Sequence, residues 1–302
     1  MAVTLGRGLA RVDVATLLYT VASTVAVLVF TGGDRTGAIA LLCANLLVVG
    51  LVLLAPWARA DGPAGQFVGD WYPMALLGAF YAEVGVVNLD VAYHHDLVIQ
   101  RLESWIFGSQ VSYRWIREMP NPVLSTLLHS CYLAYYAILF AAPLGLWVSG
   151  RRDQARFTIF AVAVSFYLCC AVFLFFPVAG PRYAFPLAHN AATRVWPARA
   201  AQWVLDQGDS WGAAFPSSHV AAAVVATLCA LRFWRGLGLA LLPFTLGLVF
   251  AVVYGQFHYA VDALGGLMVA LAVFTSLRAG STRAAVVAFE PTTAEAAARP
   301  SG

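Results

Sequence analysis

Two histidines and a carboxylate stand where long apolar runs meet polar loops, in Phe215-Pro-Ser-Ser-His219 and in Tyr254-Gly-Gln-Phe-His-Tyr-Ala-Val-Asp262. His258 and Asp262 are four residues apart, a spacing that on a helix puts both side chains on one face within hydrogen-bond reach. A carboxylate accepting from one ring nitrogen fixes the imidazole tautomer. It leaves the other nitrogen free as nucleophile or base and stabilises the cation that forms later. A His–Asp pair buried only to satisfy polar groups between helices is the plainer account, yet ionisable groups in apolar spans are costly and default to a functional reading. The stretch from His219 to His258 is 39 residues. At about 1.5 Å per residue it makes roughly 58 Å of helix, close to two crossings of an apolar slab about 30 Å thick. A chain that goes down and comes back returns His258 to the level of His219.

The residues around His219 add an anion site to this pair. Pro216, Ser217 and Ser218 ahead of an apolar run mark a helix N-terminus, where free backbone N–H groups and the positive end of the helix dipole attract negative charge. Arg182, in Phe176-Pro-Val-Ala-Gly-Pro-Arg-Tyr183, falls just past an apolar run. A guanidinium there can hold two phosphate oxygens at once, whereas one that merely ends a span reaches for lipid head groups. Arg194, Arg199, His94, His95 and Asp96 are weaker candidates, residues of polar loops that would ordinarily be solvated. No Cys, His or carboxylate set has metal-ligand spacing, so the expectation is no metal and no cofactor.

The elements that must position these groups are membrane helices. Hydrophobic residues make up 61% of the chain, charged residues only 11%, and the mean hydropathy is +0.76, which excludes an ordinary soluble domain. Eight apolar runs are long enough to span, at about 12–30, 38–56, 72–92, 122–149, 157–176, 217–235, 237–256 and 258–278. The first reads as an uncleaved helix rather than a signal peptide, since no small-residue cleavage site closes it. The expected organisation is a two-helix membrane segment over 1–70, a catalytic membrane domain over 71–278 and a disordered tail over 279–302. Glu83 and Asp90 in the third run should face the bundle. The net charge of +3 comes from Arg alone, there being no Lys, and reads as loop charge rather than a nucleic-acid footprint. All five cysteines lie inside apolar runs and read as small hydrophobes, not as disulfides or ligands.

Threading eight spans with the N-terminus inside places eleven arginines on one side and seven on the other. The short linkers holding Arg151-Arg152 and Arg232 to Arg235 are those the positive-inside rule weighs most, so that side is cytoplasmic. Segments 93–121, 177–216 and 255–258 then share the outer face, in what is expected to be a bacterial-type plasma membrane. Within 93–121 the rhythm of Leu97, Ile99, Leu102, Trp105, Ile106 and Phe107 against Gln100, Arg101, Glu103 and Ser104 suits a helix in the headgroup plane, anchored by Trp105.

Arg182, then Pro216-Ser-Ser-His219, then His258-x-x-x-Asp262, in that order between apolar helices, resemble the three motifs of the type-2 phosphatidic acid phosphatase superfamily, membrane relatives of vanadium haloperoxidases. Gly-Pro-Arg-Tyr, Phe-Pro-Ser-Ser-His and His-Tyr-Ala-Val-Asp-Ala are similar to the inositolphosphotransferase branch, which includes inositol phosphorylceramide synthases. The resemblance spans about 70–278. It implies an all-α, six-helix catalytic core preceded by two further helices, and a lipid phosphate or phospholipid substrate. It also implies roles: His258 attacks phosphorus, Asp262 orients it, His219 protonates the leaving oxygen, and Arg182, Ser217 and Ser218 hold the phosphoryl oxygens without a metal. The chain departs from the family pattern in having no Lys ahead of Arg182, and Ala251 and Val252 where the third motif carries a Ser-Arg pair. Arg194 or Arg199 would have to supply the missing charge, and the departures tilt the expectation toward a phosphotransferase. The competing expectation is a non-catalytic transporter or lipid-binding protein using the His/Asp groups as a proton relay, which would place them at mid-membrane instead of at span ends.

Overall fold

The computed structural model describes residues 8–31, 35–88 and 94–287. Among them the chain is helical: α1 (Arg11–Phe30), α2 (Arg35–Ala60), α3 (Gly62–Asn88), α4 (Asp96–Phe107), α5 (Val111–Glu118), α6 (Pro122–Leu133), α7 (Tyr135–Val148), α8 (Arg152–Phe175), α9 (Pro181–Ala184), α10 (Trp196–Gly208), α11 (Ser218–Phe233), α12 (Arg235–Tyr254) and α13 (Ala260–Val287). Five of these helices are long and apolar enough to cross a membrane, six if α6 and α7, bent by 43° at Ala134, count as one span. That is the pattern of an integral membrane protein.

Two of the eight expected runs are not among these helices, for simple physical reasons. Helix α11 has 16 residues, about 24 Å at 1.5 Å per residue. Helix α3 begins at Gly62, ten residues ahead of its expected start, and carries Asp70 and Glu83 inward. It can extend that far because Asp70 is met by Arg59 and Arg156 and Glu83 by Ser23 and Asn45. Asp70 is thus met by guanidinium groups of the neighbouring helices, while Glu83 receives only neutral donors, on one of its two oxygens. Asp90 lies outside the described residues. Helix α13 continues to Val287, past Ala279, and the rest of the expected tail lies outside the described residues.

Helix α11 is the axis of the bundle, packed against α7, α8, α12 and α13. Its run of Ala221, Ala222, Ala223, Ala226 and Ala230, all buried, lets those helices approach closely. At Gly266 of α13 a Cβ would stand 2.4 Å from the Ser217 carbonyl oxygen, so only glycine lets the start of α11 abut α13. Helices α1 to α3 pack on one another and α1 and α3 also on α8, and the outer faces of α1 and α2 expose Leu18, Leu28, Leu47, Leu54 and Trp57, as lipid-facing surfaces do. Of the cysteines, Cys43 lies on that exposed surface and the other four are buried.

Segment 94–121 folds as α4 and α5, with the apolar residues of α4 turned outward except for Ile99, which is buried. Trp105 is 82% exposed, and Leu97, Val98 and Ile106 are also exposed. Asp96 and Glu103 are buried and point into the protein. The segment between α8 and α11 adds α10, whose Trp196 and Trp203 are exposed.

Candidate active site

The start of α11, the turn between α12 and α13, and the loop after α8 converge at one end of the bundle. Asn121 and Ser217 show how the local sequence sets such ends: each side-chain oxygen accepts backbone N–H groups of the helix it opens. Ser217 also donates its own N–H to the Asp262 carbonyl at 2.9 Å, tying α11 to α13. His219 and His258 come together with ring centroids 5.7 Å apart. Tyr135 and Tyr132 flank His219, at 4.5 and 5.7 Å between centroids.

His258 precedes α13 rather than sitting within it, and this changes its hydrogen bonding. Its Nδ1 lies 2.9 Å from the Ala214 carbonyl oxygen and 3.6 Å from Asp262 Oδ2. A carbonyl can only accept, so Nδ1 carries the proton and Nε2 keeps its lone pair. Asp262 Oδ2 accepts from the Tyr259 N–H at 2.7 Å, the reach-back bond of an acidic residue in a first helical turn. The Asp262 carboxyl group therefore lies close to the imidazole without a hydrogen bond to it, and the Ala214 carbonyl is the group that fixes the ring's tautomer. Burial pushes the His258 imidazole down to about 4, against the lift from the Ala214 bond and from Asp209.

The loop after α8 is held by a network that the sequence did not reveal. Asp96, only 1% exposed, accepts from Ala179 N–H at 2.7 Å, Gly180 N–H at 2.9 Å and the Tyr259 hydroxyl at 2.8 Å. Gly180 has φ +95°, a conformation that favours glycine. Val178 pairs with Gly212 and Ala214, so this loop and the carbonyl that holds His258 form one unit. Glu103 accepts from the Ser112 and Ala260 N–H groups, both at 3.0 Å, fastening α4 to the start of α13. Its burial raises its carboxyl above the ordinary range despite those bonds.

Arg182 reaches the same place. It pairs with Asp206 on α10, its Nε is 3.8 Å from Asp209 Oδ2, and its Nη1 is buried with no partner. His219 Nδ1 and Ser218 Oγ are likewise buried without partners. Arg182, His219 and His258 line a small cavity of about 20 Å³, which shares Tyr81, Tyr132, Leu205 and His219 with a groove of about 520 Å³. Ser218 lines the groove, whereas Ser217 is engaged as the cap of α11 and lines neither. Arg199 does not line the small cavity; it lines a neighbouring one of about 290 Å³ with His129 and Gln256, across Phe257 and Asp206, and Arg194 is an exposed residue that lines none of the three. Among the described residues no three His, Cys, Asp or Glu side chains gather into a set that could hold a metal ion.

Two histidines, a guanidinium and a helix N-terminus, with buried polar atoms unpaired, at one end of a helical membrane bundle, make an arrangement that suits an anion. The family model described as the PAP2 superfamily matches residues 97–276, and the chain belongs to that superfamily. The match runs from α4 into α13 and leaves α1, α2 and α3 outside it. No curated protein and no solved structure matches the chain. Membership in the superfamily points to a phosphatase or phosphotransferase acting on a lipid phosphate.

Proposed function

We propose that this chain cleaves or transfers the phosphoryl group of a lipid phosphate or phospholipid through a phosphohistidine on His258, at the extracytoplasmic face of the membrane. The observation that carries this reading is the convergence of His258, His219 and Arg182 on one small cavity where buried donors are unpaired. His219 takes up a proton as the anionic phosphate binds beside it; Nε2 of His258 then attacks phosphorus, the bond from phosphorus to the ester oxygen breaks, and His219 gives that oxygen its proton. His219 then takes a proton from water or from an acceptor hydroxyl, whose oxygen attacks phosphorus and frees His258. Arg182 and the first N–H groups of α11 hold the equatorial oxygens, where negative charge accumulates. Admitting the phosphoryl group requires Arg182 to exchange its carboxylate partners, Asp206 and Asp209, for phosphate oxygens. Asp262 stabilises the imidazolium.

The topology that goes with this reading has eight crossings, counting α3, the bent pair α6–α7 and the short α11. Arg151, Arg152 and Arg156 lie at the start of α8 and the site lies past its end, so arginine-rich linkers on the cytoplasmic side put the site outside. The Gly-Pro-Arg-Tyr and His-Tyr-Ala-Val-Asp-Ala phrasing favours a transferase like the inositolphosphotransferases. The test is to incubate the purified protein in lipid with labelled phosphatidic acid, phosphatidylinositol, polyprenyl diphosphate and ceramide and to identify every product, with and without vanadate and EDTA. Free phosphate marks a phosphatase and a new phosphorylated lipid a transferase. Activity lost in EDTA and restored by a divalent ion, or untouched by vanadate, overturns the metal-free phosphohistidine mechanism.

A further inference from the structure

The groove of about 520 Å³ beside the histidines is walled on one side by α3, a helix outside the part of the chain that matches the superfamily. Met74, Gly78 and Tyr81 of α3 face Phe140 of α7 and Leu205 of α10 across it. Its lining is mostly apolar, with the rings of Tyr81, Tyr132, Tyr135 and Tyr136 among it, and it meets the polar Ser218 and His219 where it joins the small cavity. Ser218 is 1% exposed and its hydroxyl has no partner. A ligand complementary to this shape has a polar group at one end and a long hydrocarbon body.

Which histidine the groove meets decides which part of the ligand it holds. The groove reaches His219 and not His258, so the group lying in it carries the oxygen that leaves phosphorus rather than the phosphorus that His258 attacks. On the α3 side, Ala75, Gly78 and Ala82 lie three and four residues apart and share one face. A Cβ built on Gly78 meets nothing within 4 Å, so the space over that residue is open.

The geometry points to α3 as the specificity wall of the site: the hydrocarbon chain of the donor lipid lies in this groove, its ester oxygen at His219, and the small face at Gly78 sets how bulky that chain can be. This rests on the reaction proposed above. The bond broken is the one between phosphorus and the lipid oxygen, the bond formed is Nε2 to phosphorus, and the lipid departs as an alcohol bearing the His219 proton.

The experiment uses full-length protein in detergent micelles and two substrates, long-chain phosphatidic acid and p-nitrophenyl phosphate, whose leaving group needs no groove. Gly78→Phe should lower kcat/KM for the lipid at least about tenfold and leave nitrophenyl phosphate turnover within about twofold. Equal turnover of the lipid by Gly78→Phe and the parent protein overturns the proposal. A second variant guards against misfolding: Gly78→Cys, with Cys43→Ala to remove the exposed thiol, is assayed before and after reaction with benzyl methanethiosulfonate. Labelling should remove lipid turnover alone, and loss of both activities or of neither on labelling overturns the proposal. Labelling of the thiol introduced by Gly78→Cys should also be slowed by phosphatidic acid but not by inorganic phosphate, and absence of that protection counts against the groove even if no turnover occurs. A parent protein that turns over neither substrate, while the Gly78→Cys variant shows the protection, removes the proposed reaction and leaves the lipid groove standing.

Discussion

The two ends of this bundle hold similar kinds of charged and polar side chains and treat them in opposite ways. At the end opposite the histidines, Asp13 accepts from Arg59 at 2.6 and 2.7 Å, from the Tyr72 hydroxyl at 2.7 Å and from the Ala10 N–H at 2.7 Å. Asp70 accepts from Arg59 at 3.1 Å and from Arg156 at 2.7 Å. Each carboxylate is met by a guanidinium and at least one further donor, and the cluster joins α1, α2, α3 and α8 as a clasp. At the histidine end Arg182 Nη1, Ser218 Oγ, His219 Nδ1 and Asp262 Oδ1 are all buried without partners. Desolvated polar groups are costly to leave unpaired. The carboxylates of the clasp are met by guanidinium groups, whereas the charged and polar groups gathered at the histidine end keep unpaired atoms that a ligand can complete; single unpaired atoms elsewhere, such as Trp71 Nε1 and Glu83 Oε2, stand outside such a gathering.

The comparison breaks first at His258. His258→Ala should abolish turnover of every substrate, a loss on the order of 10⁴ or more, and remove any acid-labile phosphoenzyme. Labelled phosphate retained on the protein in this variant and lost in His219→Ala would exchange the two roles. In the parent protein the low pKa of His258, about 4, keeps the imidazole neutral and nucleophilic at neutral pH. The acid limb of kcat/KM attributable to the nucleophile should accordingly lie near that value, well below the ordinary histidine range, and a limb near about 6.5 would contradict the burial argument.

Arg182 comes next. Arg182→Ala should cost roughly 10²–10³ in kcat/KM and weaken vanadate inhibition, because it removes a charged donor to the transferring oxygens. Arg182→Lys should recover only part of this, since an ammonium cannot make the paired contacts of a guanidinium. Asp262→Asn should cost less, roughly 10–10², and similarly for all substrates. The Ala214 carbonyl keeps the His258 tautomer and an asparagine oxygen can still accept from Tyr259, so what is lost is the charge that steadies the imidazolium. A loss as large as that of His258→Ala would show that Asp262, and not Ala214, orients the ring.

The apolar runs and the groups at their ends were legible in the sequence because both signals are local. His219 opens a helix and His258 follows one, so span counting alone brings them level. The partners were not legible, because they come from far along the chain. Asp96 meets Tyr259 across 163 residues and Arg182 meets Asp206 on a helix inside what reads as a polar loop. The Ala214 carbonyl has no side-chain signature at all. In α4 the periodicity was visible, but periodicity does not say which face meets protein. The inward face is the one that carries Asp96, Ile99 and Glu103, and its two carboxylates hold the loops of the site, while Arg101 and Ser104 stay exposed. Arg59 and Arg156 read as loop charges, and only the packing of α1, α2, α3 and α8 joins them with Asp13 and Asp70 in one cluster.

The smallest effect on catalysis is expected from the largest disturbance at the other end. Arg59→Met removes the guanidinium that both Asp13 and Asp70 use, and Asp13, whose side chain is fully buried, keeps only neutral donors. Leaving a buried carboxylate without its counter-charge costs about 3–5 kcal/mol, so the variant should unfold at clearly lower temperature in detergent. Its turnover per folded molecule, measured well below that temperature, should match the parent protein within about twofold, because no group of the cluster lines the cavity of His219 and His258. A variant as stable as the parent would show that the cluster does not clasp the bundle. One that keeps its stability and loses turnover would join the two ends and remove the distinction between paired and unpaired charge.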